Sequence, residues 1–243
     1  MKKRKAGIGI FVIVLIITAV RVKSMDSHRI SGRILAENIA GPGMMRLVEQ
    51  SMQAQAQNTS VTEIAVKEWK HPQAALTFDD GPDIRYTPLL LDGLKERNVR
   101  ASFFLLGEKV EQYPELVERM QKEGHLVGNH TYHHVQLNKL NETKAREEIL
   151  KTNNLIYETT GVYPLYLRPP FGAWKKNLEL CVEMLPVFWT IDTLDWKVQN
   201  TEKIVRTVQE QIEDGAIILM HDEYDTSVEA ALQVVDELKN QGY

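Results

Sequence analysis

The chain has 243 residues, with 43% apolar and 26% charged side chains, a composition that excludes a collagen-like or disordered protein and suits one domain plus a tail. Net charge is −4, but six of the 29 cations and no acid stand in residues 1–23, so the remainder carries 23 cations against 33 acids and argues against nucleic acid as a partner. Cys181 is the single cysteine, which leaves neither an intrachain disulfide framework nor a Cys-rich zinc module and assigns any metal to His and carboxylate.

Ala6 to Val20 is an unbroken apolar or small stretch behind Lys2-Lys3-Arg4-Lys5, the layout of a signal anchor or a secretory signal. Fifteen residues span about 22 Å as a helix, short of the hydrocarbon core unless Arg21 and Lys23 snorkel. No small-x-small cleavage site follows, so residues 1–23 are expected to be an uncleaved transmembrane anchor with the chain beyond Lys23 outside the cell. Cleavage and secretion is the alternative. Residues 24–70 are rich in Gln, Ser and Met, contain Gly41-Pro42-Gly43, and are expected to form a stalk.

From Gln73 onward, short apolar runs alternate with segments of helical period, the signature of a parallel α/β domain over residues 71–243. The expected strands are Ala74 to Phe78, Val99 to Leu106, His125 to Asn129, Pro164 to Arg168, Val187 to Ile191 and Ala216 to Met220. Thr87-Pro88 and Thr201 read as helix starts, and Gly124, Gly161 and Gly215 as helix stops. Asp79, Asp80, His130, Arg168, Asp192 and His221 all stand at or just after the end of an apolar run. In a parallel sheet or barrel those ends share one face, so side chains scattered over the sequence converge.

The motifs at these ends carry the chemistry. Asp79-Asp80 before Gly81-Pro82 offers two carboxylates whose side chains diverge along a strand, one suited to a metal and one to a base. An Asp-Gly-Pro turn with two solvated acids is the bland alternative. Residues 130–134 supply three of the seven histidines. His130 and His134 stand at i, i+4, the spacing of helical zinc sites, with the i, i+3 pair of His130 and His133 as competitor. Two His and one carboxylate leave a coordination position open, as catalytic zinc requires. Arg168-Pro169-Pro170-Phe171-Gly172 places a cation before a rigid turn. Asp192-Thr193-Leu194-Asp195-Trp196 supplies two acids and an aromatic, and His221 is a candidate general acid.

Together, TFDDGP (77–82), HTYHH (130–134), RPPFG (168–172), DTLDW (192–196) and LMH (219–221) resemble the polysaccharide deacetylase family, carbohydrate esterase family four, or NodB-type domain. The resemblance covers residues 71–243 and is greatest to peptidoglycan N-acetylglucosamine deacetylases. It implies a distorted (β/α) barrel and metal-dependent removal of N-acetyl groups from an amino-sugar polymer. By position it implies Asp80, His130 and His134 as metal ligands, Asp79 as catalytic base and His221 as catalytic acid. Arg168 and Asp195 match the residues that orient base and acid, the Phe171 N–H matches the oxyanion donor, and Trp196 and Leu219 match apolar walls around the acetyl methyl. His133 has no role in the family. The implied cofactor is a divalent metal, zinc first, with Co2+, Ni2+ or Mn2+ as alternatives.

The implied partner is cell-wall glycan, cut by a membrane-anchored monomer. Its amine products would make the wall more cationic and resist lysozyme. Chitin oligomers, poly-N-acetylglucosamine and acetylated xylan are other substrates of the family. A non-catalytic glycan-binding domain and a cytosolic amide hydrolase are the competing functions. One departure stands out: the chain stops at Tyr243, where family members begin one more strand, so a barrel of six strands without its closing C-terminal strand is expected, open beside the strand that ends at His221.

Overall fold

The computed structural model describes residues 71–174 and 184–243. The anchor at 1–23 and all but the last residues of the segment before Gln73 lie outside them. Among the described residues no helix is long and apolar enough to cross a membrane.

Among the described residues, seven parallel strands form one curled sheet, a half-barrel in the order β5-β4-β3-β2-β1-β7-β6. They are β1 (Ala74–Asp79), β2 (Ser102–Leu105), β3 (Leu126–Asn129), β4 (Tyr166–Leu167), β5 (Leu185–Pro186), β6 (Ile191–Asp192) and β7 (Ala216–His221). Around them lie α1 (Tyr86–Glu96), α2 (Gly107–Gln112), α3 (Pro114–Lys122), α4 (Glu142–Thr160), α5 (Asp195–Val198), α6 (Thr201–Gln211) and α7 (Asp225–Asn240). The central strands are apolar runs buried on both faces, as parallel sheets covered by helices require. Phe78 of β1 stacks on Phe103 of β2, and the helices bring Leu90, Leu94, Val117, Val208 and Val234 onto the same core. At Gly93 a Cβ would collide with the Leu232 side chain, so the missing side chain lets α1 approach α7.

The register sets the rim at the carboxyl ends of the strands. Asp79 is level with His221 on one side and Phe104 on the other, Leu105 with Asn129, Asn129 with Leu167, and Asp192 with Leu219. The carboxyl ends of the strands thus form one edge, with residues distant in sequence side by side.

Two expectations about the barrel are corrected. Val187 to Ile191 is not one strand: Leu185–Pro186 pairs with β4 at one sheet edge and Ile191–Asp192 with β7 at the other. Only residues 187–190 join the edges, and five Cα steps reach at most about 19 Å, so the sheet must curl until its edges approach. The run has strand composition, but the buried Arg168 guanidinium donates to the carbonyls of Val187 and Phe188, both at 3.4 Å, so these groups are satisfied without a neighbouring strand. Nor is the strand ending at His221 an edge, because β7 pairs with β1 on one side and β6 on the other. No strand follows α7, as expected, and β5 and β6 are the edges among the described residues.

Of the two expected helix starts, Thr201 is met as the first residue of α6, and Thr87 shifts. Thr87 lies inside α1, whose entry is shaped instead by Asp83 Oδ1 accepting from Arg85 N and Tyr86 N. Asn200, not Thr201, caps α6 by accepting from Lys203 N at 2.9 Å. Gly161 closes α4 in the left-handed conformation.

Candidate active site

Three side chains from two loops meet above the sheet. Asp80, His130 and His134 each offer a ligand atom, all within 4.8 Å of one another. Asp80 Oδ1 lies 3.4 Å from His130 Nε2 and 3.3 Å from His134 Nε2, yet it is buried and makes no hydrogen bond. A buried carboxylate oxygen without a partner, facing two imidazole nitrogens, is what a divalent cation would satisfy, so these residues fit a metal. His130 Nδ1 meets the Arg168 carbonyl at 2.6 Å, which puts its proton on Nδ1 and leaves the Nε2 lone pair toward the cluster. His133 points elsewhere, its Nδ1 on Glu148 Oε1 at 2.7 Å, so the i, i+4 pair converges and the i, i+3 pair does not.

The loops are held in demanding backbone geometry. Asp80, Thr131, His134, Phe171 and Leu194 all have positive φ without being glycine, and all lie in the strand-end loops of this rim. Each such residue costs about 1–2 kcal/mol, which the surroundings must offset. For the His loop the support comes from α4, where Glu148 Oε2 accepts from Tyr132 N at 3.0 Å and His133 N at 2.8 Å. Asn129 adds to it, accepting from Thr131 N at 2.7 Å while its amide donates to Ile149 O and Asn153.

On one side of the cluster stands Asp79. Its Oδ1 accepts from Arg168 Nη1 at 2.8 Å, and its Oδ2 lies 3.7 Å from His130 Nε2. Arg168 is 0% exposed, bonds Thr77 Oγ1 at 2.7 Å and lies 4.2 Å over the Phe104 ring, so the carboxylate it holds has little freedom.

On the other side stands His221, with Nε2 3.8 Å from Asp80 Oδ2. Asp195, 0% exposed, takes His221 Nδ1 at 2.7 Å and the His221 backbone N–H at 2.8 Å. Burial works against charging His221, but the hydrogen bond and charge of Asp195, then Asp80 and Asp79, outweigh it and push the imidazole up to about 9. Burial likewise opposes ionisation of Asp195 and Asp80. His221 nevertheless holds Asp195 below its ordinary value, and His130, His134 and His221 hold Asp80 well below its own. Burial lowers His134, favouring the neutral imidazole that a metal needs.

The residues assigned to the substrate lie around this centre. Phe171 is 62% exposed, its ring centroid 4.5 Å from that of His134, and Trp196 is 49% exposed in the first turn of α5. Leu219 is buried in β7 two residues before His221, on the same strand face.

The motifs, their convergence and the curled parallel sheet find direct counterparts among known proteins. The sequence pattern of the family described as polysaccharide deacetylase matches residues 67–187. The peptidoglycan deacetylase PdaC from Bacillus subtilis superposes with a TM-score of 0.69 at 41% identity, covering 72% of this chain and 86% of that one. The chain belongs to the polysaccharide deacetylase family. Within it, the chain is 41% identical over 177 residues to a peptidoglycan-N-acetylglucosamine deacetylase of Bacillus cereus, covering 70% of this chain and 64% of that one. It is 42% identical over 169 residues to the peptidoglycan-N-acetylmuramic acid deacetylase PdaC of Bacillus subtilis, covering 70% and 36%. The chain thus spans between about a third and two thirds of the length of these curated relatives.

Three residues of the site were given no role by the motif pattern, although Thr77 opens the first motif. Thr77 and Glu148 support Arg168 and the His loop, and Asp222 lies fully buried beside the Asp79–Pro82 turn. Glu148 sits in a charged helix that reads as solvent-facing, so nothing local marks it. An acid directly after the strand-end His221 was the available signal for Asp222.

Proposed function

We propose that this chain is a metal-dependent hydrolase that removes N-acetyl groups from peptidoglycan, acting on N-acetylglucosamine. The observation that carries the reading is the flanking of the Asp80-His130-His134 cluster by two differently tuned groups, Asp79 held by Arg168 and His221 held by Asp195. Every position the family's chemistry calls for is filled, which favours an enzyme over a glycan-binding domain.

Asp80, His130 and His134 would hold a divalent cation, zinc first, and when bound it supplies a Lewis acid for the acetamide carbonyl and for the attacking water. Asp79, fixed by Arg168, takes the proton of that water. The backbone N–H of Phe171 donates to the oxyanion of the tetrahedral intermediate. His221, protonated at neutral pH because of Asp195, gives its proton to the amide nitrogen, so that the C–N bond breaks to acetate and a free amine. Trp196 and Leu219 form the apolar wall against the acetyl methyl, and the exposed Phe171 ring offers a face to a sugar.

In the same proposal residues 71–243 are the catalytic unit, 24–70 a stalk and 1–23 a membrane anchor that leaves a monomeric enzyme facing the wall. The name of PdaC makes N-acetylmuramic acid the second candidate sugar. Incubating purified peptidoglycan with the enzyme, digesting it to disaccharides and locating the lost acetyl by mass spectrometry tests the assignment. Loss from glucosamine is expected, loss from muramic acid alone overturns the sugar, and loss from neither overturns the substrate.

A further inference from the structure

Against Gly81, the residue next to Asp80, lies a carboxylate for which the proposed reaction has no use. Asp222 is 0% exposed, directly after His221. Its Oδ2 accepts from Thr87 Oγ1, whereas its Oδ1 is buried with no hydrogen-bond partner. Lys109, the nearby cation, is paired with Glu223. Burying an acid with a bare oxygen is unfavourable, and Asn or Ser would make the same contact to Thr87 at lower cost.

The groups around Asp222 all lead to one turn. Thr87 Oγ1 accepts from Asp83 N at 2.7 Å, so a relay runs from the end of β7 through α1 to the residue just beyond Pro82. A Cβ built on Gly81 would collide with three atoms of the Asp222 carboxylate and with nothing nearer. On the opposite flank Leu106 N donates to Gly81 O at 3.2 Å. Gly81 is therefore clamped between the ends of β2 and β7, and the residue directly before it is Asp80, whose φ of 69° is a conformation it does not favour by itself.

We propose that Asp222 is a positioning residue for the metal-binding turn: packed on Gly81 and tied through Thr87 to Asp83, it keeps the Asp80 carboxylate within reach of His130 and His134. The inference rests on the reading of those three residues as a metal site. Selection for placement of Asp80, and not for stability, explains a buried acid with an empty oxygen in contact with a glycine.

The test uses the full chain, Zn2+ alone as probe in competition with a chromogenic chelator, and the melting temperature of the metal-free protein in parallel. Thr87→Val, which removes the hydroxyl but keeps the shape, is expected to weaken Zn2+ binding by about tenfold or more, the usual loss when a ligand's support is removed. Thr87→Ser is expected to recover most of it. Gly81→Ala should weaken Zn2+ on its own but cost almost nothing further in an Asp222→Ala background, since the atoms it strikes are gone. A lowered melting temperature with unchanged Zn2+ affinity in Thr87→Val makes the strut merely structural and overturns the proposal. Should Thr87→Val not fold, the cycle decides alone, and additive losses overturn it. His130→Ala separates the two readings: if it still binds Zn2+, the metal site fails and this proposal with it. If it loses Zn2+ while Thr87→Val does not, only the positioning role fails.

Discussion

Asp79 and Asp80 are chemically identical neighbours, and their partners make them different. Asp79 is fixed to a buried guanidinium, whereas Asp80 faces three imidazoles with a bare oxygen. Asp79→Asn should therefore keep metal binding and lose turnover by at least about a hundredfold, the usual lower bound for general-base work. Metal titration beside acetate release checks this, and near-normal release from the variant contradicts the role of base. By the same geometry His130→Ala and His134→Ala should each abolish stoichiometric metal, while His133→Ala, whose imidazole is committed to Glu148, should retain it. Elemental analysis of the purified variants decides.

His221 supplies the pH dependence. Its value is raised from the ordinary 6.5 to about 9, so the stability it contributes is fully present below pH about 6.5 and is lost as pH rises toward 9. With His221 as the proposed acid, deprotonation removes the proton it gives, and activity should fall on the alkaline side. Asp80 is one of the charges that raise it, and a bound cation cancels part of that charge, which puts the holoenzyme's limb at or below about 9. Asp195→Asn removes the largest favourable influence and should move the alkaline limb of the kcat profile to lower pH. An unmoved limb would disconnect it from His221. The meeting of Asp79, Asp80, His130, Arg168 and His221 was legible because each stands at or just after the end of an apolar run. The choice between His133 and His134 was not legible from spacing alone, since both i+3 and i+4 share a helical face and Glu148 is distant in sequence.

Among the elements, the segment from β5 to β6 shows how composition misleads. Val187, Phe188, Trp189 and Ile191 have the side chains of a strand, and period and propensity read only side chains. Which carbonyls find a neighbouring strand and which find a side chain depends on where Arg168 ends up, and that is a tertiary fact. The long strands β1 and β7 were readable almost to the residue, because each is a six-residue run of mostly apolar side chains, buried on both faces over its last four. The two-residue strands β5 and β6 offer too little pattern, whereas β4 lies inside the expected strand Pro164 to Arg168. Arg168→Met removes both the partner of Asp79 and the bonds to the carbonyls of Val187 and Phe188. Leaving a buried charge unpaired costs about 3–5 kcal/mol, so urea unfolding should show a loss of that order. Arg168→Lys, which keeps a charge without the planar fork, should lose less. Unfolding of Arg168→Met at the wild-type denaturant concentration would mean that another contact holds the crossing segment.

For the whole molecule, the seven strands gather at one rim residues that lie as far apart in sequence as Asp79 and His221, adjacent in the β1–β7 register. That convergence follows from parallel topology alone and was legible from alternating βα pattern. The order of strands was not, and the expectation of an open gap beside His221 failed because β6 covers that side. With both flanks of β7 paired, residues 71–243 produced alone should melt within a few degrees of the longer chain. A large fall in melting temperature would show that residues 24–70 pack on the domain.

The central claim is that one metal-loaded rim cleaves the N-acetyl group. Its most direct measurement is acetate release from an N-acetylglucosamine polymer by wild-type protein as purified, after a chelator, and after divalent metal is restored. Release that stops with the chelator and returns with the metal, but never appears in Asp79→Asn, is the predicted result. Release that persists in the chelated protein, or none from metal-loaded wild type on either peptidoglycan or N-acetylglucosamine oligomers, would contradict it.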